Sequence, residues 1–145
     1  MDWEAKTEER LVEKLRKIEA LHAGATTSGE RIAAEGARDR ILQRLLELER
    51  VEPVVEYQFS MQDEWSKMLF ISMLRRYGLK PYRYPRQRRT TVMVRITESF
   101  LDEVLWPGFE ELNRTLREHL GSVTQRIIRQ AIHDGAFDVE ERTGG

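Results

Sequence analysis

The sequence predicts an α+β fold, mostly helical, with an N-terminal helical hairpin and a small antiparallel β-hairpin packed by helices. Three observations carry that expectation. Apolar residues recur at three- and four-residue spacing through most of the chain. One stretch, Thr90–Thr97, switches to strict alternation. Capping residues, glycines and prolines divide the rest into short elements. With 145 residues, 40% apolar and 34% charged, the chain has enough apolar material for a real core, and wholesale disorder is excluded.

Residues 1–50 form the first expected unit, a helical hairpin. Leu11, Leu15, Ile18 and Leu21, widened by Val12, make one stripe on a helix from about Trp3 to His22. Glu13, Lys14, Arg16, Lys17 and Glu19 form its solvated face, and Gly24 supplies the left-handed residue that ends it. Thr27 and Glu30 have capping-box spacing, so a second helix is expected from near Ser28 to about Glu49. Ala33, Ala34, Ala37, Ile41, Leu45 and Leu48 face inward on it, and the short link makes the two helices antiparallel neighbours.

Residues 51–145 form the second expected unit, in the order α-β-β-α-α. Pro53 breaks the preceding helix, because proline disfavours helical geometry in the residue before it. Ser60 is the expected N-cap of a helix over Met61–Tyr77, closed by Gly78. Between Met68 and Leu74 this helix is apolar almost all round, which implies burial on more than one side, between layers or between copies of the chain. Lys80–Tyr84 and Thr90–Thr97 are the two strands, turning around Pro85–Arg89, with Val92, Val94 and Ile96 toward the core. The same pleat puts Tyr82 and Tyr84 over the core and Arg83 and Arg95 on the open face. Ser99 with Asp102 starts a helix that Pro107-Gly108 kinks or splits and Gly121 stops. Ser122 with Gln125 opens a last helix built on Val123, Ile127, Ala131 and Ile132 and ending at Gly135; the polar tail Val139–Gly145 is expected to fray.

The run Glu13-Lys-Leu-Arg-Lys-Ile-Glu-Ala-Leu, followed after a loop by Gly29-Glu-Arg-Ile-Ala-Ala-Glu-Gly-Ala-Arg, resembles the DUF2786 family of bacterial and phage proteins. In that family a helix of the form K-I-R-K-L-x-A-L-A precedes an Ala-rich E-A-x-x-A helix. Downstream, Trp65-x-x-x-Leu69, Arg76-Tyr77-Gly78 and the Val92–Ile96 strand resemble, more loosely, the segment that commonly follows that domain. This chain has Leu45-Leu46-Glu47 where Met and Tyr often close the second family helix. The family's function is unknown, so the resemblance implies no catalytic residue. Some members accompany mobile-element or DNA-processing genes, which implies nucleic-acid business by association.

Catalytic and cofactor patterns are not found. The chain has no cysteine, which removes disulfides, thiol catalysis and Cys-based zinc sites together. His22, His119 and His133 are not spaced four apart, so there is no HExxH zinc motif; His22 and His133 fall near expected helix C-termini, where imidazolium suits the dipole. Glu8-Glu9, Glu110-Glu111 and Glu140-Glu141 are adjacent pairs that splay around a helix rather than converge. No glycine pattern makes a phosphate-cradling loop. The expectation is a non-enzymatic binding protein with no cofactor and no metal. No run approaches the ~18 apolar residues of a membrane span. The first ten residues lack a signal-peptide pattern, so no membrane association and a cytoplasmic location are expected.

Charge distribution supplies the one functional feature. The net charge is −1, yet residues 1–60 carry −3, residues 61–97 carry +7 and residues 98–145 carry −5. From Ser66 to Thr97 there is no acidic residue, and most of the basic ones are arginines, suited to forked phosphate recognition. The candidate nucleic-acid-binding residues are Arg75, Arg76, Lys80, Arg83, Arg86, Arg88, Arg89 and Arg95. DNA or RNA is the leading ligand. An acidic protein surface is the second, with the arginines pairing to it within or between chains; edge protection of exposed strands is a third reading. Tyr82 and Tyr84 can stack on unpaired bases only if they face solvent. Trp3, Trp65 and Trp106, the apolar third helix and a marginal two-stranded sheet together imply a homo-oligomer.

Overall fold

The structure, a computed structural model, describes residues 2–24, 30–132 and 139–144, with side chains over 7–24, 36–132 and 139–144. It is α+β and mostly helical. The elements are α1 (Asp2–His22), α2 (Glu30–Val51), β1 (Val55–Ser60), α3 (Glu64–Arg76), β2 (Thr91–Ile96), α4 (Glu98–Phe100), a π-helical turn (Leu101–Leu105) and α5 (Trp106–Ala131). Two compact units result, residues 1–113 and 114–145.

In the first unit, α1 and α2 make the expected helical hairpin. Gly24 (φ 82°) has the left-handed geometry that the α1 terminus requires. The Thr27/Glu30 cap and the inward placement of Ala33 and Ala34 involve residues or side chains outside those described. Ile18 of α1 and Ile41, Leu45 and Leu48 of α2 belong to one core with Phe70, Met73 and Leu74 of α3 and Val92, Val94 and Ile96 of β2. Phe100, Leu105, Phe109 and Leu112 close that core, so the packing runs continuously across residue 50. Phe59 stacks on Trp106 with ring centroids 5.6 Å apart, and Phe70 meets Phe109 edge-on at 5.1 Å.

The small antiparallel sheet is present, but its main pairing differs from the expected one. The alternating strand β2 lies against β1, with Val55 opposite Ile96, Tyr57 opposite Val94 and Phe59 opposite Val92 on the core side. Lys80–Tyr84 contributes only an isolated bridge, Tyr82 to Met93. Toward the tip the ladder stops there because Gln87 takes up both the Tyr84 amide and carbonyl, and the Arg88 carbonyl takes the Thr91 amide that would pair next. The missed strand follows Pro53 directly. Val55, Tyr57 and Phe59 alternate with Glu56, Gln58 and Ser60, which is the strand period, and reading residues 51–56 only as a helix break leaves it unseen.

Helix termini are corrected accordingly. Ser60 is paired in β1 opposite Thr91, and the N-cap of α3 is Asp63, whose carboxylate accepts the Ser66 amide at 2.8 Å. Thr97 rather than Ser99 caps the next helical run, accepting the Phe100 amide at 3.2 Å. α3 is buried on one side only: Phe70 and Leu74 are fully enclosed, while Trp65 and Met68 are exposed. Pro107 does not split its helix. The Trp106 amide reaches back five residues to the Leu101 carbonyl, and this wider turn absorbs the bond that Pro107 cannot make.

In the second unit, α5 runs through Gly121 to Ala131, so the expected stop and restart at Gly121-Ser122 do not occur. A glycine ends a helix where it turns left-handed, as Gly24 and Gly78 do; Gly121 keeps helical geometry. His133 and Gly135 lie outside the described residues. In the tail, Arg142 pairs with Glu140 at 3.1 Å. Among the described residues no helix is long and apolar enough to cross a membrane.

Candidate functional site

Strand pleating gives the sheet two faces, and only one is packed into the core. On the other, Glu56 stands opposite Arg95, Gln58 opposite Met93 and Ser60 opposite Thr91. The segment from Leu79 to Thr90 folds along the free side of β2. Tyr82 and Met93 exchange both backbone hydrogen bonds, at 2.9 and 2.8 Å. Residues paired in this way point to the same face, so Tyr82 and, two residues on, Tyr84 stand on the outer face beside Met93. Both hydroxyls donate to the Glu56 carboxylate. The expectation that these tyrosines cover the core is therefore corrected. It assumed that Lys80–Tyr84 was the principal partner of β2 and left the strand on the far side out of account.

Met93 is buried although it faces outward, because this segment closes over it; the Gln87 side-chain amide lies 3.4 Å from its sulfur. Tyr84 keeps 47% of its surface exposed, and its ring meets that of Tyr82 edge-on with centroids 5.6 Å apart. The two phenolic hydrogen bonds, above all, hold the Glu56 carboxyl below its ordinary pKa, with Arg95 adding to the effect. The same bonds, chiefly, push the Tyr82 and Tyr84 hydroxyls up, so an ionised carboxylate and two neutral phenols share this face.

The tip is a tight turn. Gln87 donates its amide to the Tyr84 carbonyl at 3.3 Å, and its side-chain oxygen accepts the Tyr84 amide at 2.8 Å. Pro85 occupies the second turn position and Arg86 the third, with φ of 72°.

The candidate basic residues are not equivalent. Arg83, Arg86, Arg88 and Arg89 cluster on this segment, all exposed; Arg83 is steadied by its own bond to the Arg89 carbonyl at 3.1 Å. Lys80 precedes them, exposed, and Arg95 is the exposed residue of β2. Among the described residues none of Arg75, Lys80, Arg83, Arg86, Arg88 and Arg89 pairs with a carboxylate. Arg76 is different. It grips Glu19 of α1 with Nε at 2.5 Å and Nη2 at 2.7 Å, and Tyr77 donates its hydroxyl to the same carboxylate at 2.7 Å. That bidentate pair ties α3 to α1 and occupies the guanidinium in the fold. Sequence reasoning missed Glu56, Gln58 and Gln87 as site residues; the alternation over Val55–Ser60 was the available signal for the first two.

Elsewhere in the first unit a concavity of about 420 Å³ is lined by His22, Arg40, Arg44, Glu47 and Glu103 among others. Its ionisable groups are largely engaged with one another or with close neighbours. His22 Nε2 lies 2.6 Å from Glu111, and Arg44 bonds Glu103 at 3.0 Å. Among the described residues no group of three or more histidines and acids is placed to hold a metal ion.

No family model, no curated protein and no solved structure matches this chain.

Proposed function

We propose that the protein is a non-enzymatic nucleic-acid-binding protein, acting in the cytoplasm, that holds the phosphate backbone with the arginines of the 80–90 segment. The observation that supports it is the state of Arg83, Arg86, Arg88 and Arg89: exposed, close in sequence and, among the described residues, without carboxylate partners. Four such charges repel one another in isolation, and a polyanion relieves that repulsion while releasing its own counterions. Guanidinium groups suit this task because their planar fork matches two phosphate oxygens at once.

The test is binding of labelled single-stranded and duplex DNA and RNA by fluorescence anisotropy across salt concentration. Wild type is compared with Arg86→Ala/Arg88→Ala/Arg89→Ala. Three lost phosphate contacts reduce the log–log salt slope by roughly 2.7 on duplex DNA and roughly 2.1 on a single strand, at about 0.9 and 0.7 per phosphate. No binding to any of these at low salt overturns the reading. The arginines are then partners for an acidic protein surface, or for a second copy of this chain. Trp65 and Met68, exposed by 62% and 59% on α3, favour that second reading; light scattering on the same samples reports the oligomeric state.

A further inference from the structure

We infer that the nucleic acid is single-stranded, its bases stacking on the Tyr84 and Tyr82 rings of the outer sheet face while the neighbouring arginines hold its phosphates. The inference rests on the nucleic-acid reading above and narrows it to one ligand class.

A duplex hides the flat faces of its bases in its own stack and presents only edges and phosphates, so an open aromatic face gains nothing from it. An unpaired strand presents those faces, and any base can use them. Three features of the site fit the second case. Tyr84 is about half exposed and lies on the same side of the sheet as Arg95, within the segment that carries Arg83, Arg86, Arg88 and Arg89. Both phenol hydroxyls are anchored on Glu56, so the rings are ordered before a base arrives and little side-chain entropy remains to be lost. The phenols themselves are neutral, and the Glu56 carboxylate that anchors them is capped by both hydroxyls and stands opposite Arg95. Tyr84, the more exposed ring, is the principal platform.

The experiment uses the full chain and four labelled probes: an oligothymidylate, an oligouridylate, an abasic strand of equal length, and a DNA duplex. At matched salt the two base-bearing strands bind more tightly than the abasic strand and the duplex. Tyr84→Ala weakens their binding by about five- to one-hundred-fold with the salt slope unchanged, since a stacking contact carries no counterion. Tyr84→Phe keeps the ring and binds within about twofold of wild type. Melting curves of both variants separate loss of stacking from loss of fold. An abasic strand bound as tightly as oligothymidylate, or Tyr84→Ala equal to wild type, overturns the stacking inference while the arginine salt slope still upholds the phosphate reading. Failure to bind every probe at low salt overturns both.

Discussion

Arg86 occupies the one non-glycine position with a positive φ among the described residues, the third place of a turn whose second place is Pro85. Glycine is at ease there and an L-residue with a side chain is not, because its Cβ crowds the neighbouring carbonyl. Arg86→Gly therefore raises the stability of the first unit by about 0.5–1 kcal/mol, read from denaturant midpoints at constant m-value. The same change removes one cation from the turn tip. On the proposed function it weakens nucleic-acid binding and lowers the salt slope by about 0.9 on duplex DNA. Opposite signs for stability and binding would mark Arg86 as a residue held in strained geometry for its charge. The identity of these cations was legible in sequence. Their separation into groups was not: Arg76 and Arg75 are adjacent, yet only Arg76 finds Glu19, fifty-seven positions away.

At the scale of elements, α5 illustrates how a local signal is overridden. Gly121 reads as a stop, but the helix continues to Ala131 with nothing within 4 Å of where a Cβ would stand. Gly121→Ala therefore meets no steric penalty and removes backbone freedom from the unfolded chain, stabilising the helix locally by up to about 1 kcal/mol. Amide exchange of residues 117–125 measures this, slowing by about fivefold for that free energy. β1 illustrates the reverse case, in which the local signal was sufficient. Its alternation from Val55 to Ser60 is as regular as that of Thr91–Ile96, and Pro53 lies safely before its first residue. The Lys80–Tyr84 segment contributes a bridge instead of a strand, because the tip turn takes up the Tyr84 amide and carbonyl that the next ladder pair needs.

For the whole molecule, a two-stranded sheet is marginal alone, and here it is held by helices whose core residues come from both ends of the first unit. Tyrosine ionisation reports on that architecture. All four tyrosines have hydroxyls pushed above the ordinary value of 10.0: Tyr57 and Tyr77 chiefly by burial, Tyr82 and Tyr84 chiefly by their bonds to Glu56. Above pH 10 the unfolded chain has released phenolic protons that the folded chain still holds, so stability falls as pH rises through and beyond that point. Absorbance titration at the tyrosinate band then gives a higher midpoint in native protein than in denaturant. A native midpoint at 10 for all four would contradict the burial of Tyr77 and the Glu56 anchor together.

Composition, period and punctuation by themselves determined the mostly helical α+β class, the N-terminal helical hairpin, the alternating strand at 91–96 and the acid-free basic stretch. All of these depend on neighbours a few residues apart. Tertiary structure alone decided which segment pairs with β2, which face Tyr82 and Tyr84 occupy, and which arginines are taken up by the fold. Each of those outcomes depends on a partner distant in sequence: β1 for the strand, Glu56 for the tyrosines, Glu19 for Arg76. A two-residue period fixes how side chains alternate along a strand, but only the strand's neighbours decide which of its two faces meets the core.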